Sequence, residues 1–389
     1  MAETYDMIIV GGGAGGLSAA VYAGRAERKA LLIEKGSYGG RINETREIRN
    51  YPGTIGDTGI GLMEKFKAHA LAFPTNELKR TTVTGIKQLD NGNFLVQTKR
   101  RGDFETRCVL LDLGTKPRVL GIPGEKEFAG HGVAYCATCD AEMFKGKEIY
   151  VLGAGDQAIE EADYLTGFAS KVTVIVLHEE GHLDCNEVAA ATAFRNPKID
   201  FVWNSTLEEI KGRDEVEGLV IKNVVTGASS EVETDGIFFF VGMIPQTELV
   251  RDLVECDDKD YIAVNEKKET SVPGIYAVGD CTQTFLRQVV TAAADGAIAA
   301  TASERYVKEK KQIDSLLTPD AGKVAFVFYD PYDSEQIEQV SALEEKLRGE
   351  WRVERQDITR QSLLYGRLGL TASPATAFYF GGKLMGTEV

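Results

Sequence analysis

Residues 5–16 read YDMIIVGGGAGG and place a Gly-rich turn directly after a short apolar run. The apolar run predicts a buried strand, and residues 15–25 predict the helix that follows the turn. The glycines satisfy the pattern G-x-G-x-x-G: Gly11 permits the tight turn, Gly13 lets backbone amides approach a pyrophosphate, and Gly16 lets the helix pack on the strand. The segment therefore predicts a dinucleotide site at the N-terminus of the helix.

The same order of elements begins a second time in the middle of the chain. Residues 147–152 form another apolar run, and GAGDQA at residues 153–158 supplies a G-x-G-x-x-A turn before a predicted helix that ends near Leu165. A further strand follows each helix, at residues 30–33 and 171–177. Two segments with the order strand, Gly-rich turn, helix and strand predict an α/β protein with two Rossmann-like dinucleotide-binding domains.

One cysteine pair has the spacing of redox chemistry. Cys136 and Cys139 stand in the segment CATCD at residues 136–140, ahead of the second Gly-rich turn. Two intervening residues allow a disulfide at a helix start, where backbone amides and the helix dipole favour a thiolate. Taken alone, the pair fits metal binding or burial nearly as well, but no second Cys/His pair offers the spacing of a zinc site. The cysteines predicted to be plain buried thiols are Cys108, Cys185, Cys256 and Cys281.

The two dinucleotide units are predicted to interleave along the chain. Pro117 and Pro123 indicate a hinge into the second unit, and residues 242–245 indicate the return to the first. Residues 307–314 are highly charged and lead to Pro319 and Gly322, which predict a linker to a third module. The predicted domains are residues 1–116 with 246–312, residues 117–245, and residues 323–389.

Further segments, together with the cysteine pair, resemble the low-molecular-weight thioredoxin reductases. AVGD at residues 277–280 and FLRQV at residues 285–289 are similar to that family's second flavin motif. GGR at residues 39–41 and NYPG at residues 50–53 are similar to its flavin-binding turn. CATCD closely matches its active site, and the resemblance covers about residues 5–306.

The resemblance implies a homodimeric, FAD-dependent thioredoxin-disulfide reductase, and the start of the sequence, with no charged n-region or cleavage site, predicts a cytoplasmic location. One cysteine of the pair would face the flavin and the other would attack thioredoxin or a thioredoxin-like protein, while rotation of the two domains alternates these contacts. Asp140 would move a proton between thiol and flavin, completing a catalytic set with Cys136 and Cys139. The residues predicted to hold FAD are Gly11, Gly13, Ala14, Gly15, Gly16, Glu34, Lys35, Gly39, Gly40, Arg41, Asn50, Gly279, Asp280, Arg287, Gln288 and Val289.

The second nucleotide site departs from this family. The family grips the NADPH 2′-phosphate with a His-Arg-Arg cluster and a further Arg, whereas residues 176–182 read VLHEEGH. No Arg lies between Lys171 and Arg195, and Glu179 and Glu180 would repel a phosphate dianion. We therefore expect a donor other than NADPH and favour ferredoxin, as in the ferredoxin-dependent flavin thioredoxin reductases. NADH, or NADPH bound weakly, are the alternatives.

Two other observations bear on this departure. Ferredoxins are acidic, so a ferredoxin donor requires a basic docking patch, for which residues 99–101, KRR, and Lys145 with Lys147 are candidates. Residues 111–114 read LDLG where the family has Ala-Thr-Gly. The sequence alone assigns this second difference no consequence.

The segment after the linker resembles thioredoxin in the order of its elements. A strand at residues 324–329 is followed by a helix from about Ile337, and LTASPAT at residues 370–376 leads into a second strand. Asp333 and Gln336 stand where thioredoxin has its cysteines, so the module is predicted to be redox-inactive.

This module is also predicted to be truncated. Pro374 would correspond to the thioredoxin proline that is cis beside the active site, but the chain ends before a final strand and helix. We expect a docking or dimer-stabilising role, with a generic βαβ appendage as the alternative.

Composition sets outer limits on function. The 389-residue chain has a net charge of −15, which argues against nucleic acid as a general partner. No apolar run is long enough to span a membrane, and no signal peptide is recognisable. Two other functions stay open: a flavoprotein reductase that serves a peroxiredoxin, whose fused module would be N-terminal and carry cysteines, and a flavin-based redox sensor, against which the intact CATCD segment argues.

Overall fold

The first unit is an open sheet with helices on one face. The computed structural model describes residues 4–45, 48, 50–360 and 363–389. The first elements are β1 (Tyr5–Val10), α1 (Ala14–Arg25), β2 (Ala30–Glu34), α2 (Gly59–Leu71), β3 (Asn76–Arg80), β4 (Val83–Gln88), β5 (Phe94–Thr98) and β6 (Phe104–Leu111). The strands lie in the order β3-β2-β1-β6-β5-β4, with β1 parallel to both β2 and β6.

β1 is apolar on both faces because both faces of the sheet are covered. Met7 and Ile9 pack in the cluster that contains α1, whereas Ile8 and Val10 pack in a second cluster on the opposite face. Side chains alternate between the two faces of a strand, so a strand covered on both sides shows a continuous apolar run rather than a polar alternation. This burial positions the end of β1, and with it the first Gly-rich turn.

The second unit is inserted through a two-stranded hinge. Its elements and the hinge strands are β7 (Thr115–Pro117), β8 (Val133–Ala134), α3 (Ala137–Asp140), β9 (Glu148–Leu152), α4 (Asp156–Leu165), β10 (Lys171–Ile175), α5 (Glu187–Arg195), β11 (Ile199–Val202), β12 (Ser205–Gly212), β13 (Val216–Asn223), β14 (Ser229–Glu233), β15 (Gly236–Phe239) and β16 (Met243–Pro245). A parallel sheet has the order β11-β10-β9-β15-β8, and β12, β13 and β14 form a separate antiparallel sheet. β7 pairs antiparallel with β16. These strands lie where the chain is predicted to enter the second unit, near Pro117, and to return to the first, at residues 242–245.

The remaining elements return to the first sheet and then build the third module. They are β17 (Ile275–Ala277), α6 (Val289–Leu316), β18 (Lys323–Tyr329), α7 (Ser334–Leu347), β19 (Arg352–Asp357), α8 (Leu363–Arg367), β20 (Ala375–Phe380) and β21 (Lys383–Glu388). β17 pairs parallel with β6 and so completes the first sheet.

The charged stretch at residues 307–314 that leads to the predicted linker is helical, and Pro319 and Gly322 lie in the short non-helical connection between α6 and β18. α6 is one continuous helix of 28 residues, and its last turns place Ile313 and Leu316 in the apolar core of the third module. Its charged residues do not prevent this, since Lys310 is buried and pairs with Asp314 on the next turn. The helix therefore reaches into the module, and only residues 317–322 connect its end to β18.

The third module is a four-stranded sheet with the order β19-β18-β20-β21. β18 is parallel to β19 and antiparallel to β20, and the Ser373–Pro374 peptide before β20 is cis, as the resemblance to thioredoxin implies. The prediction that a final strand is missing is wrong. Gly381 and Gly382 have φ of 54° and 77° and turn the chain so that β21 pairs antiparallel with β20.

The module is held against the first unit by polar contacts as well as by α6. Arg367 Nη1 donates to the carbonyl oxygen of Asn91 at 2.7 Å, and Nη2 donates to that of Asp90. The amide of Leu363 donates to Glu309 Oε1 at 2.6 Å. Within the described ranges, none of the helices is both long enough and apolar enough to cross a bilayer.

Candidate flavin and disulfide site

The first Gly-rich turn presents bare backbone at the start of α1. Gly11 has φ of 106°, and a Cβ there would lie 2.0 Å from the carbonyl oxygen of Asp112. A Cβ on Gly16 would lie 2.1 Å from the carbonyl oxygen of Gly11, so helix and strand are in close contact. Gly13 is the N-cap of α1 in extended conformation, and Ala14 is its first residue. This is the surface that binding of a pyrophosphate requires.

Glu34 stands at the end of β2, beside this turn. Its carboxylate accepts hydrogen bonds from the amides of Gly12 at 2.7 Å and Gly36 at 2.6 Å. These bonds hold the carboxylate at the position predicted for the adenosine ribose. Lys35 is exposed next to it, and its Nζ donates to Gln246 Oε1 at 2.9 Å.

The predicted flavin-binding turn lies against the first Gly-rich turn. Gly39 and Gly40 have φ of 109° and 65°, and the Gly39 amide donates to the carbonyl oxygen of Gly12 at 2.7 Å. Arg41 Nη1 lies 3.4 Å from Thr115 Oγ1. The Nε of Arg41 is buried and has no hydrogen-bond partner among the described residues, so it is available to an anionic ligand.

The second flavin segment adds a carboxylate and a guanidinium. Gly279 has φ of 68°, and Asp280 follows it in a short 3₁₀ turn. Burial raises the pKa of Asp280, and the guanidinium groups of Arg41 and Arg287 oppose that rise. The guanidinium of Arg287 also lies over the ring of Tyr261, 4.3 Å from the centroid.

The remaining predicted flavin residues meet at the start of α6. Gln288 is the N-cap of this helix in a capping box with Thr291, and Val289 is its first residue. Asn50 Nδ2 donates to Gln288 Oε1 at 2.9 Å, which links the flavin-binding turn to α6.

α1 and α6 pack closely enough to bring both flavin segments together. A Cβ on Gly15 would lie 2.9 Å from Val278 Cγ2, and one on Gly296 would lie 2.0 Å from the carbonyl oxygen of Gly15. The structure therefore gathers the predicted flavin residues around one cradle, with Lys35 at its edge. The glycine turn at the start of α1, the anchored Glu34 carboxylate and the Arg41 Nε, which has no partner among the described residues, fit FAD.

Asp112 is a functional candidate that sequence reasoning did not identify. It follows β6 and lies inside the cradle, where its Oδ2 accepts a hydrogen bond from the Gly16 amide at 2.7 Å. Burial raises its pKa to about 7; hydrogen bonds from the amides of Gly16 and Gly13 oppose the rise, and the carboxylates of Asp280 and Glu34 add to it. The only sequence signal was the difference from the related family at residues 111–114.

The predicted redox disulfide is present. Cys136 and Cys139 are joined by an S–S bond of 2.01 Å with Cα atoms 5.3 Å apart. Cys136 is the N-cap of the single-turn helix α3, and Asp140 ends that helix with its amide donating to the Cys136 carbonyl oxygen at 3.1 Å. All three residues are partly exposed. The pair can therefore exchange disulfides with a partner that approaches from solvent.

The other four cysteines are free thiols. Cys108 and Cys281 are buried as predicted, and burial raises the pKa of each to about 12. Cys185 and Cys256 are partly exposed, so the prediction of burial is wrong for these two. Both lie outside the strands and helices, at the margin of an apolar core against which they pack with one side still accessible.

A buried glutamate connects the hinge to the redox segment. The carboxylate of Glu125 accepts hydrogen bonds from the amides of residues 120–122 at 3.3, 2.8 and 3.2 Å. Its Oε1 also accepts a bond from the Tyr135 hydroxyl at 3.0 Å, directly before Cys136. Nothing in the local sequence pattern predicts this contact, because the partners are brought together only by the folded hinge loop.

The second Gly-rich turn keeps a pyrophosphate geometry but stands beside acidic residues. Gly153 has φ of 139°, and Gly155 is the N-cap of α4. After β10, Glu179 and Glu180 are exposed, and His178 Nε2 lies 2.7 Å from Asp184 Oδ2. In the part of the chain that the structure describes, no group of three or more His, Cys, Asp or Glu side chains is placed to hold a metal ion.

Comparisons with known proteins agree with this geometry. The family profile described as pyridine nucleotide-disulphide oxidoreductase matches residues 5–296. The chain is 43% identical to thioredoxin reductase of Peptoclostridium acidaminophilum over 316 residues, covering 79% of this chain and 98% of that protein. It is 40% identical to thioredoxin reductase of Bacillus subtilis (strain 168) over 312 residues, covering 80% and 97%.

A solved structure shows the same arrangement. The crystal structure of thioredoxin reductase from Streptococcus pyogenes MGAS5005 superimposes with a TM-score of 0.72 at 38% identity, covering 79% of this chain and 99% of that one. The glycine cradle, the disulfide and these similarities lead to one assignment. The chain belongs to the pyridine nucleotide-disulphide oxidoreductase family, as an FAD-binding enzyme of the low-molecular-weight thioredoxin reductase group.

Proposed function

We propose that this enzyme passes electrons from FAD to the Cys136–Cys139 disulfide and on to thioredoxin or a thioredoxin-like protein. The observation that carries the proposal is the partly exposed disulfide at the start of α3, in a unit joined to the flavin cradle by the β7–β16 hinge. Gly11, Gly13 and Glu34 would hold the pyrophosphate and adenosine ribose of FAD.

The chemistry of the disulfide follows from its atom balance. Reduction consumes two electrons and two protons; bound FAD would supply the electron pair once the electron donor has reduced it, and is itself reoxidised. The Asp140 carboxyl would move a proton at the sulfur. The thiolate of one cysteine then attacks the target disulfide and releases one target thiol, and the second cysteine cleaves the mixed disulfide, which releases the other thiol and restores Cys136–Cys139.

Ferredoxin is the electron donor that we favour. The end of β10 is where a dinucleotide domain recognises the ribose, and a 2′-phosphate there would meet Glu179, Glu180 and Asp184. No arginine from residues 172–194 is available to neutralise it. Each charge-assisted phosphate contact contributes about 1.5–3 kcal/mol, so the loss of several weakens NADPH binding greatly.

A basic surface supports a protein donor. Lys99, Arg100 and Arg101 are exposed at the turn between β5 and β6, and none has an ion-pair partner among the described residues. Lys145 is exposed shortly after the redox segment. An acidic one-electron carrier would be steered to such charges, and two of its molecules would reduce one disulfide.

NADH is the second candidate donor. The turn at Gly153 and Gly155 retains the geometry of a pyrophosphate site, and Glu179 or Glu180 could accept hydrogen bonds from a free 2′-hydroxyl. Either carboxylate would also discriminate against NADPH, because it would repel the 2′-phosphate.

Anaerobic stopped-flow mixing separates the donors. The oxidised holoenzyme is mixed with NADPH, NADH or reduced ferredoxin, and bleaching of the flavin band is followed. We expect reduced ferredoxin to bleach fastest, with a rate that falls as salt is added. Bleaching by micromolar NADPH within milliseconds would show that the electrostatic argument is wrong.

Charge reversal tests the nucleotide site directly. In the double variant Glu179→Arg/Glu180→Arg we expect the rate with NADPH to rise at least about tenfold, because repulsion is replaced by phosphate contacts. Glu266→Arg, an exposed change in the first unit, is the matched control and should leave that rate unchanged. An unchanged rate in the double variant would contradict the assignment of this loop.

We also propose a thioredoxin-like, redox-inactive identity for the third module. Asp333 and Gln336 occupy the positions expected for cysteines, and Asp333 Oδ1 instead caps α7 by accepting bonds from the amides of Glu335 and Gln336 at 3.0 and 3.2 Å. Such a module can dock a partner or stabilise a homodimer. The size of the holoenzyme with and without residues 313–389, measured by light scattering, distinguishes the two roles; this cut removes Ile313 and Leu316 together with the module core that encloses them.

A further inference from the structure

The carboxyl group of Asp112 occupies the centre of the flavin cradle. A Cβ built on Gly13 would lie 2.7 Å from its Oδ2, and Cβ atoms on Gly15 and Gly279 would lie 3.0 and 3.1 Å from its Oδ1. Gly16 donates its amide to Oδ2 at 2.7 Å. Glycines of the first Gly-rich turn and of the segment at residues 277–280 thus surround this one carboxyl.

This position is the positive end of α1. Gly16 is the third residue of the helix, so its amide has no partner within the helix and is one of the donors that attract anions. The first turn of α1 contains no acidic side chain. Asp112, which reaches the turn from β6, is therefore a carboxyl that stands where the pyrophosphate of FAD needs bare backbone.

The ionisable groups around Asp112 come from several elements. Glu34 lies at the end of β2, and Asp280 and Cys281 lie in the 3₁₀ turn after β17. Asp295 on α6 and the guanidinium of Arg41 act on Asp280. The nearest charged neighbours of Asp112 are thus carboxylates, which favour its neutral form, and its pKa of about 7 in the flavin-free protein reflects burial together with these neighbours.

FAD brings further negative charge into the cradle. Its pyrophosphate diester is a strong acid and stays ionised throughout the neutral pH range, so it cannot relieve repulsion by taking up a proton. An ionised Asp112 would repel it across a poorly solvated gap and would compete for the helix amides. A protonated Asp112 would not repel the pyrophosphate, would accept more weakly from the helix amides, and could donate a hydrogen bond.

We propose that Asp112 is a proton-linked determinant of FAD affinity: binding of FAD takes up one proton on this carboxyl, and affinity falls as pH rises through neutrality. The proton comes from solvent and stays on an Asp112 oxygen while FAD is bound. The inference rests on the flavin site assigned above and concerns affinity rather than turnover.

Dilution of the holoenzyme measures this linkage without an activity assay. Fluorescence of released FAD gives Kd between pH 5.5 and 8.5 at constant ionic strength. With a pKa of about 7 in the free protein, we expect Kd to rise about tenfold from pH 6 to pH 8. Asp112→Asn should remove this dependence, and the exposed control Asp320→Asn should retain it.

Proton uptake provides a measurement that needs no variant. The heat of FAD rebinding to wild-type protein, measured at pH 8 in two buffers of different ionisation enthalpy, should report close to one proton taken up per FAD. The same measurement at pH 5.5 should report close to none, since Asp112 is already protonated there.

The outcomes that overturn the proposal are distinct from failure of the flavin assignment. A Kd that changes less than about twofold over this range, or a slope that persists in Asp112→Asn, would refute the role of Asp112. Uptake of no proton at pH 8 would refute it independently. If the protein bound no FAD at any pH, the assignment of the flavin site would be wrong, which is a separate outcome.

Discussion

Replacing Asp112 with Asn should make the flavin-free protein more stable, by an amount that grows with pH. The folded state keeps the Asp112 proton up to a pKa of about 7, whereas the unfolded chain releases it near 3.8. The unfolded state therefore binds fewer protons between these values, and the free energy of unfolding of the wild type falls as pH rises through this window. Asn cannot ionise and still offers an oxygen to the Gly16 amide.

The expected magnitude follows from the pKa difference. A rise from 3.8 to about 7 corresponds to about 4 kcal/mol at pH 8. The side chain is partly exposed, so solvent screening reduces this, and we expect about 2–4 kcal/mol. Near pH 4 the two proteins should differ by less than about 1 kcal/mol, because both states of the wild type then hold the proton for much of the time.

Urea unfolding followed by circular dichroism, on wild type and Asp112→Asn at a series of pH values, provides the test. Carboxylates that do not act on Asp112 contribute equally to both proteins and cancel in the difference; Glu34 and Asp280 do act on it, so the difference includes the loss of their repulsion. Parallel stability profiles for the two proteins would refute the reasoning, since the difference would then not depend on ionisation. If Asp112→Asn were more stable than the wild type only below pH 4, the predicted direction of the pH dependence would be wrong.

We make one further prediction for the wild type and one for each of three single-residue variants. The purified wild-type protein should be yellow with one FAD per chain, measured by absorbance of released flavin; colourless protein that FAD cannot reconstitute would contradict the flavin assignment. Cys139→Ser should abolish thioredoxin reduction in a thiol-release assay while FAD stays bound, because the dithiol cannot form; retained turnover would exclude the pair from catalysis. Gly11→Ala should lose FAD on gel filtration, since the new Cβ would lie 2.0 Å from the Asp112 carbonyl oxygen. Arg367→Ala should weaken docking of the third module by about 1–2 kcal/mol, seen as faster limited proteolysis near residue 320, and equal cleavage rates would show that α6 alone holds it.

The two dinucleotide units could be predicted because their signals are local. A strand, a glycine turn and a helix occupy about 20 adjacent residues, and the spacing of Gly11, Gly13 and Gly16 reports backbone geometry directly. The redox disulfide could be predicted for the same reason, since Cys136 and Cys139 lie within one helical turn.

The errors arose where distant residues or the tertiary environment decide the structure. The charged residues 307–314 were not predicted to be helical, but the third module buries Ile313, and Lys310 pairs with Asp314 within the helix. The role of Asp112 depends on Gly16, 96 residues away in the chain. β21 was predictable, because Gly381-Gly382 before Lys383 is a two-residue hairpin signal.

Because α6 contributes to two apolar cores, the third module has no independent boundary. Gly296, near one end of the helix, lies against α1, and Ile313 and Leu316, near the other end, are enclosed by the module sheet. If the second unit rotates about its hinge, the module must stay fixed relative to the flavin unit. A spectroscopic probe attached to the module would therefore report the distance from the flavin unit to the moving second unit. The same continuity makes a cut after residue 316 a poor way to isolate the reductase: it would leave both side chains in water on a helix end that had lost its partner.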